Sequence, residues 1–307
     1  MKVLVTGATG FVGREVSRQL HGAAHEIHFL ARRPGSASAY YLEWELKAQV
    51  HCGDILETKS LSAAMAGCDA VVHLVGIISE VGLQTYERVH AEGTRNMVAA
   101  ARSAGVKRFI HMSALGTKPG AHSRYHQSKW AAEEAVRTSG LDWTIFRPSI
   151  VYGKGDGFVN LFARMSRFSP ALPLIGGGRT KFQPVAVENV ARCFVAALTE
   201  PRAVRETFDL TGNETLTLTE IVQTILKVTG RKRLKLPIPF GIAKVQAAFA
   251  EWLFGKLLGI APPLNRDQVL MLRDDNVGDG RIANDLFALT HPRFEDAIAR
   301  YLTNQST

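Results

Sequence analysis

Cysteine is scarce in this sequence: Cys52, Cys68 and Cys193 are its three in 307 residues. The number is odd, the spacing is wide and no Cys-x-x-Cys pair exists, which argues against a disulfide framework and for a reducing compartment. Long apolar runs are also missing. Phe240 to Ile260 comes nearest, but Lys244, Glu251 and Lys256 interrupt it, so it is too charged to span a bilayer. If the first apolar run, Val3 to Val5, is a strand, no room remains ahead of it for a signal or transit peptide. Together these absences point to a cytoplasmic protein, with contact at a membrane periphery left open. There is no HExxH, no GxSxG elbow and no Walker A lysine. The basic clusters, Arg231-Lys232-Arg233 with Lys235 and Lys107-Arg108, carry no interleaved aromatics and no nucleic-acid motif, and read as solvated surface. Internal repeats and low-complexity tracts are absent.

What is present is an ordinary globular balance, 46% apolar and 21% charged, with a net charge of +9 that favours anionic partners. The first half alternates short apolar runs with helical patterns, the signature of parallel strands joined by crossover helices. Strands are expected at Lys2–Thr6, Glu26–Ala31, Gln49–Cys52, Asp69–Val75, Lys107–Ser113 and Asp142–Arg147. Helices are expected at Phe11–His21, Leu61–Ala66, Leu83–Ala104 and Arg124–Ser139, the last two closed by Gly105 and Gly140. Beyond Pro148 the pattern loosens. A helix at Glu188–Leu198, a strand at Thr207–Thr211 and a helix at Thr219–Val228 still stand out, and that strand should rejoin the main sheet. The fold class is therefore α/β, a Rossmann-type doubly wound parallel sheet with a smaller substrate-side lobe. Residues 1–153 would form the NAD(P)-binding domain, its sheet completed by about 181–211, and 154–307 mainly the smaller substrate or partner lobe. Within that lobe Phe240–Ile260 reads as a buried or lid helix pair, or else as an interfacial or partner-docking surface. Asn304 to Thr307 reads as a disordered tail.

Thr6 to Gly13 gives Gly-x-x-Gly-x-x-Gly directly after a strand and opening a helix. Gly7 permits a tight turn, Gly10 lets backbone approach a pyrophosphate, and Gly13 lets the helix pack close to the strand. The amides of Thr9, Phe11 and Val12 then belong to a helix N-terminus that favours negative charge. A glycine-rich turn with no ligand is the alternative. At the end of strand two, where NAD sites usually carry a carboxylate, stand Arg32 and Arg33. A guanidinium pairs with a 2′-phosphate that a carboxylate would repel, so NADP(H) is expected over NAD(H).

Tyr125 and Lys129 lie four apart on one expected helix face, and Ser113 ends strand five. An ammonium favours a neighbouring phenolate, and a phenol so tuned can exchange a proton with a carbonyl or alcohol while hydride moves to or from nicotinamide. His122 and His126 share the helical spacing of a metal pair but lack a third ligand nearby, so no metal is expected. Glu133 and Glu134 read as helix surface.

The segments TGATGFVG (Thr6–Gly13), GDI (Gly53–Ile55), HLVG (His73–Gly76), EGTRNMVAAA (Glu92–Ala101), FIHMSALG (Phe109–Gly116), YHQSK (Tyr125–Lys129), RPSIVYG (Arg147–Gly153) and FQPVAVENVA (Phe182–Ala191) resemble the extended and atypical short-chain dehydrogenase/reductase superfamily, whose members include epimerase/dehydratase-like enzymes. LPLIGGGRTKFQPV (Leu172–Val185) is most similar to the group containing the nucleotide-binding accessory subunit of respiratory complex I and its bacterial relatives. The resemblance implies that Asp54 and Ile55 lie by the adenine, and that Leu74, Val75 and Gly76 line the adenosine ribose and pyrophosphate. It implies that Ser113, Tyr125 and Lys129 are the catalytic trio, with Lys129 also on the nicotinamide ribose. Pro148 and the backbone of Ser149, Ile150 and Val151 would pack by the nicotinamide. Three departures stand out: His90 replaces an Asn found in many relatives, Ser113 and Tyr125 are closer in sequence than in sugar-nucleotide epimerases, and Gly153-Lys154 replaces Gly-Pro. Two functions follow: an NADP(H)-dependent oxidoreductase or epimerase acting on a small-molecule substrate, or a non-catalytic NADPH-binding accessory or redox-sensing protein that docks a partner or membrane.

Overall fold

The computed structural model describes residues 1–303; the expected tail at 304–307 lies outside them. Six strands, β1 (Lys2–Thr6), β2 (Glu26–Ala31), β3 (Gln49–Cys52), β4 (Ala70–His73), β5 (Arg108–Met112) and β6 (Asp142–Pro148), pair in parallel, and a strand at Glu206–Leu210 adds to β6. The sheet order is β3-β2-β1-β4-β5-β6 followed by Glu206–Leu210. This is the Rossmann-type α/β architecture, and the late strand rejoins the main sheet as expected. Strand order reverses between β1 and β4, so the crevice at their carboxyl ends is where such a sheet takes a ligand.

β1 is apolar on both faces because both are covered: Val3, Leu4 and Val5 are fully buried, each contributing roughly 1.5–3 kcal/mol. Helices α1 (Phe11–Gly22), α2 (Ala37–Trp44), α3 (Thr58–Met65), α4 (Gly93–Ser103) and α5 (Arg124–Arg137) supply the crossovers. One core cluster gathers Leu4, Val71, Phe109 and Ile145 from the sheet with Met65, Met97 and Val136 from three helices.

The contacts divide the chain into two compact units. The first comprises Met1–Ile78, Leu83–Arg147 and Val190–Phe208; the second comprises Ser79–Gly82, Pro148–Asn189 and the chain from Asp209 onward. In the second, helices Val159–Phe168, Leu218–Val228 and Phe294–Leu302 enclose a core of Phe162, Ile221, Ile225 and Ile298. The middle helix starts at a capping box, Thr217 with Glu220. Strands Ala171–Ile175 and Leu234–Ile238 pair in parallel, and a helix at Phe240–Ala250 runs on into a π-helical stretch, Glu251–Leu257.

Several expectations change. The long helix starts at Glu87, not Leu83, and its first turns are π-helical to Glu92 before α4 proper. α3 begins earlier than Leu61, on the polar residues Thr58, Lys59 and Ser60, where apolar periodicity gives no signal. α2 carried no signal either: it leaves Tyr40, Tyr41 and Trp44 exposed, and it is started by Ser36, whose Oγ accepts from the Ala39 amide at 3.3 Å. Arg108 is not solvated surface. It is buried, donating to the carbonyls of Ala197 and Asp142 at 3.0 and 2.6 Å. Arg231 and Arg233 are half-buried and donate to the carbonyls of Ala163 and Ser166. Glu133 is not helix surface. It is fully buried between Arg137 and Arg147, at 2.5 and 2.6 Å, and ties α5 to β6. In each case an apolar stem or a distant partner, invisible in local sequence, makes burial of the charge tolerable.

Candidate active site

The glycine loop follows from close packing. Gly7 sits at φ +79°, a left-handed conformation that favours glycine, and a Cβ there would press within 3.1 Å of the Leu74–Val75 backbone. Gly13 is more restricted still: its Cβ would fall 2.1 Å from the Gly7 carbonyl oxygen. Gly10 is the N-cap of α1 in extended conformation, with no side chain capping the helix and no acidic residue in the first turn. The first amides of α1, at Phe11, Val12 and Gly13, therefore remain for an anion, with Thr9 half-buried beside them. This cradle of bare backbone at the sheet's reversal point fits a dinucleotide pyrophosphate.

Around the cradle, Leu74 is buried and its amide continues the β1–β4 ladder by donating to the Thr6 carbonyl at 3.0 Å. Val75 is half-buried and Gly76 exposed. Asp54 Oδ1 accepts from the Leu56 amide at 3.0 Å, while the Ile55 side chain is buried in the core against Gly93. Arg32 and Arg33 are both exposed at the end of β2, and Arg32 donates to Gln84 Oε1 at 3.0 Å. Pro148 ends β6, whereas Ile150 and Val151 belong to the second unit, where Val151 pairs with Val185.

The expected trio occupies the first unit. Ser113 follows β5; it is buried, and its Oγ donates to Thr117 Oγ1 at 3.4 Å. α5 begins at Ser123, whose Oγ accepts from the His126 amide at 3.2 Å. Tyr125 in its first turn is half-buried. Lys129, one turn on, is 2% exposed, and its ammonium donates to the Met112 carbonyl, next to Ser113, at 3.0 Å. Burial pushes Lys129 down to about 8, with Glu133 pulling the other way. His126, considered for metal binding, is engaged locally: its Nε2 donates to the Leu115 carbonyl at 3.1 Å and its Nδ1 bonds Ser123 Oγ. His122 is exposed.

His90 is the functional candidate that the residue pattern marked only as a departure. The π-helical stretch carries it into the interior, 1% exposed. Its Nε2 accepts from the Ile77 amide at 2.9 Å, so Nδ1 carries the proton and donates to Ser128 Oγ at 2.8 Å. Ser128 in turn donates to the Tyr125 carbonyl at 2.7 Å. Burial, with the Lys129 charge adding to it, pushes His90 down to about 2, which keeps the ring neutral. A Cβ on Gly76 would lie 3.1 Å from Lys129 Nζ and 3.5 Å from His90 Nε2, so the loop after β4 packs against these two side chains. Behind them His73 bonds Thr6 Oγ1 and Thr94 Oγ1 at 2.6 and 3.1 Å and stacks on His111, whose buried ring nitrogens have no partner among the described residues.

Comparison with known proteins agrees with this reading of the fold. Residues 7–201 match the family model described as NAD(P)H-binding. The chain is 30% identical over 285 residues to the mitochondrial NADH dehydrogenase [ubiquinone] 1 alpha subcomplex subunit 9 of Arabidopsis thaliana, covering 89% of this chain and 70% of that protein. It is 32% identical over 257 residues to the ceramide reductase of Caulobacter vibrioides, covering 81% and 78%. Among solved structures, the UDP-glucuronic acid 4-epimerase of Bacillus cereus superposes with a TM-score of 0.74 at 22% identity, over 99% of this chain and 100% of that one, which shows a shared fold. With its β1 glycine cradle inside the matched region, this chain belongs to the NAD(P)H-binding family, whose cofactor class is a nicotinamide dinucleotide.

Proposed function

We propose that this protein is an NADP(H)-dependent oxidoreductase of the short-chain dehydrogenase/reductase type. The observation that carries the reading is the buried Lys129 ammonium, held on the Met112 carbonyl one turn along α5 from Tyr125 and next in line to Ser113. A bare cation is costly to bury, and a site that retains one has a use for its charge. Gly7, Gly10 and Gly13 would hold the pyrophosphate, Leu74 to Gly76 and Asp54 the adenosine half, Lys129 the nicotinamide ribose, and Pro148 to Val151 the nicotinamide. When bound, the nicotinamide supplies or accepts a hydride. Tyr125 exchanges a proton with the substrate oxygen, the Lys129 charge favours its phenolate, and Ser113 orients that oxygen by a hydrogen bond. Likeness to a ceramide reductase supports the reducing direction on a carbonyl.

NADP(H) is favoured because no carboxylate follows Ala31, and the guanidinium of Arg32 is steadied by Gln84. Titration with NADPH and NADH tests this: tighter NADH binding, or unchanged NADPH affinity in Arg32→Ala with Arg33→Ala, rejects it. A panel of ketones and quinones then tests turnover, and a Tyr125→Phe variant that keeps full rate rejects the assigned proton donor. The similarity to a complex I subunit over 89% of the chain favours a second reading, a non-catalytic NADPH-binding accessory or redox-sensing protein that docks a partner or membrane. Bound NADPH without turnover of any substrate supports that reading.

A further inference from the structure

The helix Phe240–Ala250 has the polarity of an ordinary surface helix turned inside out. Its buried face is Ala243 and Ala247, both 0% exposed and packed with Ile175 and Val269. Its outward stripe, continued into the π-helical stretch, is Ile242, Val245, Phe249 and Trp252, exposed to 54%, 71%, 61% and 54%. Steps of three, four and three residues keep these side chains on one face. A helix stabilised only by its own fold buries its large apolar residues and shows its small ones. Phe249 and Trp252 adjoin, with ring centroids 6.0 Å apart, and Leu257 and Leu258, a few residues on, are exposed as well. A contiguous apolar surface of this kind marks contact with a second body.

The charge around the stripe identifies that body. Residues 231–260 carry six Lys or Arg against one acid, a net +5 within the chain's +9. Lys232, Lys235, Lys244 and Lys256 are exposed, and the single acid, Glu251, is neutralised by Arg266 at 2.7 Å. A second copy laid on this face would bring the same positive charge against it, which disfavours self-pairing. Apolar side chains rimmed by lysines instead match the acyl boundary and the phosphates of an anionic leaflet. No helix among the described residues is long and apolar enough to cross a membrane, so the contact is one of docking at the surface. We infer that this chain docks on an anionic membrane surface through Phe240–Ile260, with Ile242, Val245, Phe249 and Trp252 entering the acyl boundary and Lys244 and Lys256 against lipid phosphates.

Flotation of the full chain with phosphatidylcholine vesicles, with and without phosphatidylglycerol, tests the inference. Binding is expected on the anionic vesicles, weaker in high salt, with a blue shift of tryptophan emission that Trp252→Phe removes. Val245→Glu and Phe249→Glu alter exposed positions and should preserve the thermal melt while lowering vesicle partition by at least about tenfold, which is about 1.4 kcal/mol. Lys244→Glu with Lys256→Glu should weaken binding to the anionic vesicles. NADPH titration of the same samples reports the cofactor site separately, so loss of either property is distinguishable from loss of the other. Failure to float with anionic vesicles overturns the inference, as does undiminished flotation of Phe249→Glu. A stable dimer that Phe249→Glu dissociates overturns it in favour of a second copy.

Discussion

His90 and Tyr125 meet edge to face, ring centroids 5.4 Å apart and planes at 89°. The same imidazole accepts from the Ile77 amide and reaches Tyr125's own carbonyl through Ser128. One neutral side chain thus braces the first turn of α5 against the loop that follows β4. Tyr86 completes the cluster, stacked on His90 at 5.7 Å and edge-on to Tyr125 at 5.9 Å.

Replacing His90 by Leu takes the acceptor from the half-buried Ile77 amide and one hydrogen bond from Ser128, whose hydroxyl keeps its bond to the Tyr125 carbonyl. A loss of about 1–3 kcal/mol in stability is expected from the unpaired amide. If the ring positions Tyr125, turnover should fall by roughly tenfold or more with a smaller change in NADPH affinity. His90→Asn, which restores one of the two hydrogen bonds, should lie between. Equal kcat in wild type and His90→Leu counts against a positioning role.

Lys129 gives a pH signature. Its folded pKa, about 8, lies below the ordinary lysine value of 10.5. From pH 8 upward the folded chain releases a proton that the unfolded chain still holds, so stability rises with pH between these two values. Denaturant midpoints measured from pH 7.5 to 10.5 should show this rise, and Lys129→Met should flatten it. Catalysis should run the opposite way: the charged ammonium is lost through about pH 8, and kcat should decline there. A kcat that stays level through pH 9 contradicts the proposed role of the charge.

Gly13 and Gly10 make a matched pair. Gly13→Ala forces a methyl to 2.1 Å from the Gly7 carbonyl oxygen, whereas at Gly10 the nearest atom is that same oxygen at 3.2 Å. Gly13→Ala should cost about 1–3 kcal/mol in stability, because α1 must move off the Gly7–Ala8 turn. Gly10→Ala should melt within a few degrees of wild type but bind NADPH more weakly, since it is exposed where backbone faces the anion. Calorimetry on the two variants separates the effects; equal melting temperatures would remove the packing argument.

Legibility followed the range of the interactions. β1, β2 and β3 lie where apolar runs put them, and Gly105 closes its helix at φ +74°, whereas α5 already ends at Arg137, capped at Thr138, ahead of Gly140. These features depend on residues only a few positions apart. The start of the long helix was misplaced because Leu83, apolar in sequence, is 76% exposed ahead of the first helical turn. Val159–Phe168 and Leu234–Ile238 were missed because their partners, Leu218–Val228 and Ala171–Ile175, lie some sixty residues away.

The sequence by itself determined the glycine cradle, the parallel strand series and the spacing of Tyr125 and Lys129, because each follows from backbone sterics or local period. Only the tertiary structure decided that Lys129 is stripped of water, that His90 faces inward from a π-helical turn, and that Glu133 holds two arginines in the interior. It also decided that the helix after Pro239 turns its alanines in and its large apolar residues out. Burial of a charge, or of one helix face rather than another, is set by groups brought together from distant parts of the chain. The free energy of that choice lies in desolvation and long-range pairing, which no local pattern of residues records.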